Sequence, residues 1–206
     1  MKLIEPSFQI EQAPPYHDML AVIEKAARTC YQSWDKIKDG SSKKLIKHCI
    51  NRGHHSILEH CSITVRIICD RGVSHELVRH RLCAFSQESQ RYCAYKDDVE
   101  YISPHWCDHK DDTKSTQWAI LMYSLKDSEL RYHKLLKAGI APQDARAVLP
   151  NATKTEICMT CNIREARHIF SLRCSKGAHP EMRRIMLPMR KEFANRWPVF
   201  FEDLMF

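Results

Sequence analysis

Only five glycines occur in this chain of 206 residues: Gly40, Gly53, Gly72, Gly139 and Gly177. None falls in a G-x-G-x-x-G or a G-x-x-x-x-G-K-[ST] arrangement, so the chain has neither a Rossmann fingerprint nor a P-loop. Any phosphate it binds must be held largely by side chains. Arginine suits that task, because its permanently charged fork matches phosphate and carboxylate oxygens.

The hydrophobic pattern describes helices separated by a few strands. Helical spacing runs from His17 to Tyr31 through Leu20, Ile23, Ala26 and Ala27. Ser41 and Ser42 can cap a second helix through Asn51, with Gly53 as its stop. His60 to Cys69 is β-branched and apolar and reads as a strand, after which Asp70-Arg71-Gly72 turns into a short helix reaching about Arg81. The polar residues after it, to Tyr92, read as a loop. Strands are expected at Val99 to Ile102 and at Thr153 to Cys161, and a long helix from Thr113 to Ala138. Pro142 opens a helix that Pro150 ends, Asn162 caps another to about Arg173, and His179-Pro180 starts a last one towards Trp197, bent near Pro188. The strands are too few and too irregularly spaced for a doubly wound sheet. The expectation is α+β: a single domain over residues 1–206, with a small sheet and several long helices.

No apolar run approaches the ~18 residues of a membrane span, and the first residues lack a signal peptide's apolar stretch. A cytoplasmic location with no membrane partner is expected. The ten cysteines are scattered, so reduced thiols are expected. Cys158-Met-Thr-Cys161 could seed a zinc site but has no second pair at finger spacing, and His105-Trp-Cys107-Asp-His109 reads as a surface loop; no metal is expected. The formal net charge of +7 asks for an anionic partner, either nucleic acid or phosphorylated small molecules.

The arginines cluster in one segment. Arg79-His80-Arg81, seven further residues and then Ser89, with Arg91 and Tyr92 just after, put three guanidiniums and an imidazole within fourteen residues. This stretch is short for a nucleic-acid surface and is interrupted by Glu88, and the chain contains no nucleic-acid-binding motif. The segment matches the R-H-R-x7-S signature, and the chain resembles the flavin-dependent thymidylate synthases. Other blocks similar to that family occur in its order: Ala27 to Ser33, Gly53 to His60, Ala145 to Pro150, and Asn162 to Arg173. Two departures stand out: Ala84, where many relatives carry a serine, and Glu76, where a glutamine is common.

The resemblance implies conversion of dUMP to dTMP, with methylenetetrahydrofolate as one-carbon donor and NADPH-reduced FAD as hydride source. It implies FAD contacts from Ser56, Arg79, His80, Arg81, Gln87, Asn162, Arg164 and His168. Nucleotide contacts are implied for Glu76, Leu77, Val78, Arg79, Gln87, Glu88, Ser89, Gln90, Arg91, Arg146 and Arg173. Arg173 is the expected catalytic residue, a cation favouring loss of the uracil N3 proton so that C5 becomes the better nucleophile. Ser89 could be a covalent nucleophile with His80 as its base. The resemblance implies hydride delivery without an enzyme–substrate bond, leaving Ser89 to donate to the nucleotide phosphate. It also implies a homotetramer with shared active sites. The anionic ligands account for the positive charge without nucleic acid.

Overall fold

The computed structural model describes residues 1–106 and 115–204. Along the chain come β1 (Lys2–Ile4), β2 (Ser7–Gln12), α1 (Tyr16–Thr29), α2 (Ser41–Asn51), β3 (Ser62–Asp70), α3 (Arg71–Leu77), β4 (Ala84–Gln87), β5 (Glu100–Ile102), α4 (Ser115–Lys137), α5 (Pro142–Ala145), β6 (Lys154–Asn162), α6 (Ile163–Arg173), α7 (Pro180–Arg196) and α8 (Pro198–Phe201). This is the mixed helix and sheet of the expected α+β class.

Strands β3 and β6 are the longest, at nine residues each. Both keep the two-residue period of a strand. Ile63, Val65, Ile67 and Cys69 are buried along one, and Thr155, Ile157, Met159 and Cys161 along the other. They are neighbours in a four-stranded sheet of order β2-β3-β6-β4, while β1 pairs in parallel with β5. The Ile163 N–H donates to the Cys61 carbonyl, and Thr64 meets Thr160 at 2.9 Å, so the numbering of β3 and β6 runs in opposite directions. Their pairing is antiparallel.

Each long strand ends on a residue that caps the next helix. The Asp70 carboxylate accepts from the Val73 N–H at 2.7 Å, and the Asn162 side-chain oxygen accepts from the Glu165 N–H at 2.9 Å. These bonds satisfy amides that the first helical turn leaves without partners.

The structure corrects several details. Helix α3 ends at Leu77, short of Arg81, because Leu77 is fully buried and the chain then tightens into turns (Arg79 N–H to Glu76, Cys83 N–H to His80). Part of the expected loop is strand: Ala84–Gln87 lies beside β6, and the Glu88 N–H donates to the Glu156 carbonyl. A four-residue strand of mixed polarity has no readable period; it forms because the backbone groups along β6 need partners. The same applies to β1 and β2, which the sequence pattern left unassigned. The residue capping α2 is Gly40, in the left-handed region at φ 71°, and Ser41 instead turns its hydroxyl towards Glu24 at 2.7 Å. Helix α7 continues through Pro188. The expected helix start at Thr113, and Cys107, Asp108 and His109, lie outside the described residues.

The residues sort into two compact units, each assembled from three stretches of chain. One comprises Met1–Ser7, Ile67–Arg79 and Ser86–Ile157. Its core joins Val99, Tyr101, Leu125, Tyr132 and Ala145, with the Tyr101 hydroxyl donating to the Leu125 carbonyl. The other comprises Phe8–Arg66, His80–Phe85 and Cys158–Phe206. Its helices α6, α7 and α8 meet through an aromatic cluster in which Phe193 lies edge-on to Phe170, Trp197 and Phe201, centroids 5.0 to 5.2 Å apart. Four of the five divisions fall inside strands, which leaves no linker there in the sequence. Among the described residues no helix is long and apolar enough to cross a membrane.

Phe193 is 1% exposed. Phe193→Ala is expected to cost about 3–5 kcal/mol of stability, read from the shift in a urea unfolding curve.

Candidate active site

The second unit gathers the late-chain residues around helix α6. Arg164 and His168, four residues apart, stand exposed on one face, with the Asn162 cap just before them. All three line a cleft of about 750 Å³, together with His55, Glu59, Arg167 and Ser171. That volume lies within the ~300–1,000 Å³ of small-molecule sites. The Arg164 guanidinium is braced by Glu59 at 2.5 Å, and Arg167 by both oxygens of Asp203 at 2.6 Å. The cleft is therefore rich in fixed cationic donors, the lining an anionic ligand needs.

Behind this face the Arg79-His80-Arg81 run alternates between exposed and buried. Arg79 and Arg81 are exposed, whereas His80 is 5% exposed, with its ring in edge contact with His168, centroids 5.9 Å apart. Both ring nitrogens of His80 are engaged within the protein. Nε2 accepts from Arg173 Nε at 3.0 Å, and Nδ1 lies 3.4 Å from a Glu165 carboxylate oxygen. The Nδ1 contact would be an ion pair only for a protonated ring. Burial, then the neighbouring Arg173 and His168, push the imidazole pKa down to about 4, so the ring is neutral near neutral pH. A neutral ring that accepts at Nε2 carries its proton on Nδ1, facing Glu165.

This arrangement bears on two possible chemistries. His80, Glu165 and His168 form a group of metal-ligand type. A neutral imidazole has one acceptor nitrogen, and Arg173 takes it, so His80 has none to offer a metal ion. For the same reason His80 is poorly placed to act as base for a serine.

Ser56 is exposed in a 3₁₀ turn at His55–His60, also in this unit. The remaining sequence-predicted residues belong to the first unit. Leu77 has its side chain in the core, leaving only its backbone for a ligand, while Glu76 is partly buried and Val78 and Arg79 are exposed. The Gln87 amide donates to Ser74 Oγ at 2.9 Å and to Thr155 Oγ1 at 3.1 Å, which leaves its carbonyl oxygen. Glu88 is paired with Lys154 at 3.1 Å, Gln90 is buried beside the Tyr95 hydroxyl, and Ser89 Oγ accepts from the Arg91 N–H at 3.3 Å. Arg91 is exposed over the Tyr92 ring, and Arg146 sits in a 3₁₀ turn bonded to the Gln143 carbonyl.

Sequence reasoning did not single out Glu165. Its only local signal, Asn162 with a glutamate three residues later, reads as a capping box. Its carboxylate is buried against His80. Cys158 and Cys161, three apart on a strand, fall on opposite faces of β6. Cys161 instead meets Cys83, and that hydrogen bond together with burial raises its thiol well above the usual range.

The chain matches the model of a family described as thymidylate synthase complementing protein over residues 15–199. It belongs to that family. It is 38% identical, over 89% of its length and 78% of theirs, to proteins of Mycobacterium tuberculosis and Mycobacterium bovis named flavin-dependent thymidylate synthase. A protein of the same name from Mycobacterium leprae is 35% identical. Among solved structures, a UMP/dUMP methylase from Streptomyces cacaoi bound with 5-Br dUMP superposes with a TM-score of 0.82. The two are 27% identical, covering 98% of this chain and 96% of that one. The match includes α6, its cap and the R-H-R turn, so the family's span contains every element of the cleft except Leu204.

The depressed His80 pKa sets a pH dependence. Unfolding returns the ring to its ordinary value of 6.5, so between pH 6.5 and about 4 the unfolded chain binds a proton that the folded chain does not. This contribution to stability is present above pH 6.5 and is lost as pH falls towards 4. His80→Gln should therefore flatten the decline of the unfolding midpoint over that window, measured by thermal melts at a series of pH values.

Proposed function

We propose that this chain is a flavin-dependent thymidylate synthase that methylates dUMP to dTMP, with FAD as its flavin, methylenetetrahydrofolate as one-carbon donor and NADPH as reductant. The observation that carries the reading is the union on α6 of a cationic cleft (Arg164, His168, Asn162) with an arginine, Arg173, held by the histidine of the R-H-R run. The family match and the named relatives support the reaction, and the cleft's chemistry supports a dinucleotide cofactor.

The residues present fit such a cofactor. Arg164 is half-exposed and braced rather than neutralised at depth, His168 and Asn162 offer further polar contacts, and Leu82 adds an apolar wall. Arg164, His168 and Asn162 would hold FAD here, with Ser56 and Arg81 of the same unit as its further contacts. When bound, the reduced flavin supplies a hydride. The protein binds, orients and polarises.

The nucleotide is held by Glu76 to Arg79, by Gln87 to Arg91 and by Arg146. Exposed Arg91 and the Ser89 hydroxyl suit its phosphate. Arg173 is the catalytic residue: its charge at the uracil ring stabilises the anion left by loss of the N3 proton and so raises the nucleophilicity of C5. Arginine keeps that charge at any working pH, its pKa being roughly 12 or more. Ser89 forms no covalent bond to the substrate. A homotetramer whose subunits share active sites completes the reading, since one modest chain must otherwise enclose three ligands.

Purified protein is expected to be yellow or to take up added FAD, and to form dTMP from dUMP. Colourless protein that ignores FAD would refute the assignment. Arg173→Ala should retain flavin and lose at least about a hundredfold in dTMP formation, assayed by product chromatography. Arg164→Ala should raise the FAD dissociation constant by about tenfold or more, the worth of one charge-assisted bond, with fluorescence titration as the measurement.

A further inference from the structure

Arg173 is the last residue of α6 and Glu165 is the third, eight residues earlier. That separation is ~12 Å along a helix axis. Helical side chains lean towards the N-terminus, which lets Arg173 reach back along α6 to the His80 ring. His80 arrives from the R-H-R turn and stands between the two: 3.0 Å from Arg173 Nε on one nitrogen and 3.4 Å from Glu165 on the other. His80 and Glu165 side chains are only 5% and 7% exposed, so neither contact competes with bulk water. The Glu165 N–H is itself held by the Asn162 cap.

We propose that Glu165 is a positioning residue for Arg173, acting through His80: the buried carboxylate keeps the ring proton on Nδ1, and Nε2 is thereby left as a fixed acceptor that aims the guanidinium. The inference rests on the reading of Arg173 as the group that activates uracil. A neutral imidazole between Glu165 and Arg173 orients the cation without adding a counter-charge of its own. Were the ring to carry its proton on Nε2, two N–H groups would face each other and Arg173 would be displaced. Burial and the Arg173 charge, which hold the ring neutral, keep this relay in one state near neutral pH. His168, whose ring meets His80 edge-on, adds to that effect, and on the far side of Glu165 stand the thiols of Cys161 and Cys83.

The test uses the full flavin-loaded protein with ¹⁵N-labelled histidine rings, His80 being assigned from the His80→Gln spectrum. In wild type, His80 should show one neutral tautomer with its proton on Nδ1. Glu165→Ala should mix the two tautomers and lower kcat by about tenfold to a hundredfold, the usual cost of an ångström of misplacement. The dissociation constants for FAD and dUMP should stay within about threefold, since only a transition-state interaction is lost. Glu165→Gln, which keeps the shape and an acceptor, should recover most of the rate. If Glu165→Ala fails to fold, Glu165→Leu, which fills the space without an acceptor, is judged by the same tautomer and rate. A wild-type proton on Nε2, a kcat in Glu165→Ala within about twofold of wild type, or a loss confined to flavin affinity would each overturn the proposal. Retained turnover in Arg173→Ala would instead remove the underlying reading, whatever the tautomer.

Discussion

The pairing of β3 with β6 is the constraint on which the other elements depend. Each strand contributes every second side chain to a core and ends on an acidic or amide residue that caps the next helix. Two reciprocal bonds tie the helix starts into the pairing. The Ile163 N–H, first in α6, bonds to the Cys61 carbonyl beside β3, and the Arg71 N–H, first in α3, bonds to the Asn151 carbonyl just before β6. A register slip of one residue would turn both apolar faces outward and move both caps. The start of α6, and with it Asn162, Arg164 and Glu165, is therefore set by strand pairing before any ligand is present.

The consequences of that placement are largely electrostatic. Helix α6 carries cationic groups on its exposed face, and Arg164 and Arg167 each have a carboxylate brace, Glu59 for the first and Asp203 for the second. Bracing holds each side chain in one geometry, and for the half-exposed Arg164 the carboxylate removes little of the positive potential. Towards the interior the same helix presents Glu165 to a neutral histidine. One helix thus carries a solvated cationic face and a buried Glu165–His80–Arg173 chain of contacts, because burial separates two environments that differ in dielectric.

Much of the candidate site was legible in the chain before folding. The absence of glycine-rich loops left any phosphate largely to side chains, and the R-H-R-x7-S segment with the Asn162 to Arg173 block marked the candidates. The i, i+4 spacing of Arg164 and His168 placed them on one helix face, where they stand. The short strands were not legible. Three to six residues of mixed polarity carry no period, and β1, β2 and β4 exist only because neighbouring backbone groups need partners. Nor could periodicity show that α3 stops at Leu77, since that depends on where His80 must be buried.

Sequence by itself determined the mixed fold class, the two long strands, the capped helix α6 and the inventory of cationic groups, because these depend on local period, capping chemistry and residue type. Tertiary structure decided what each group does. His80 reads as one more basic residue between two arginines, yet burial makes it neutral and its contacts with Arg173 on one nitrogen and Glu165 on the other place its proton on Nδ1. Glu165 reads as half of a capping box, yet it faces a ring from a segment 85 positions earlier in the chain. Desolvation and long-range contact are properties of the folded molecule, and a linear pattern does not contain them.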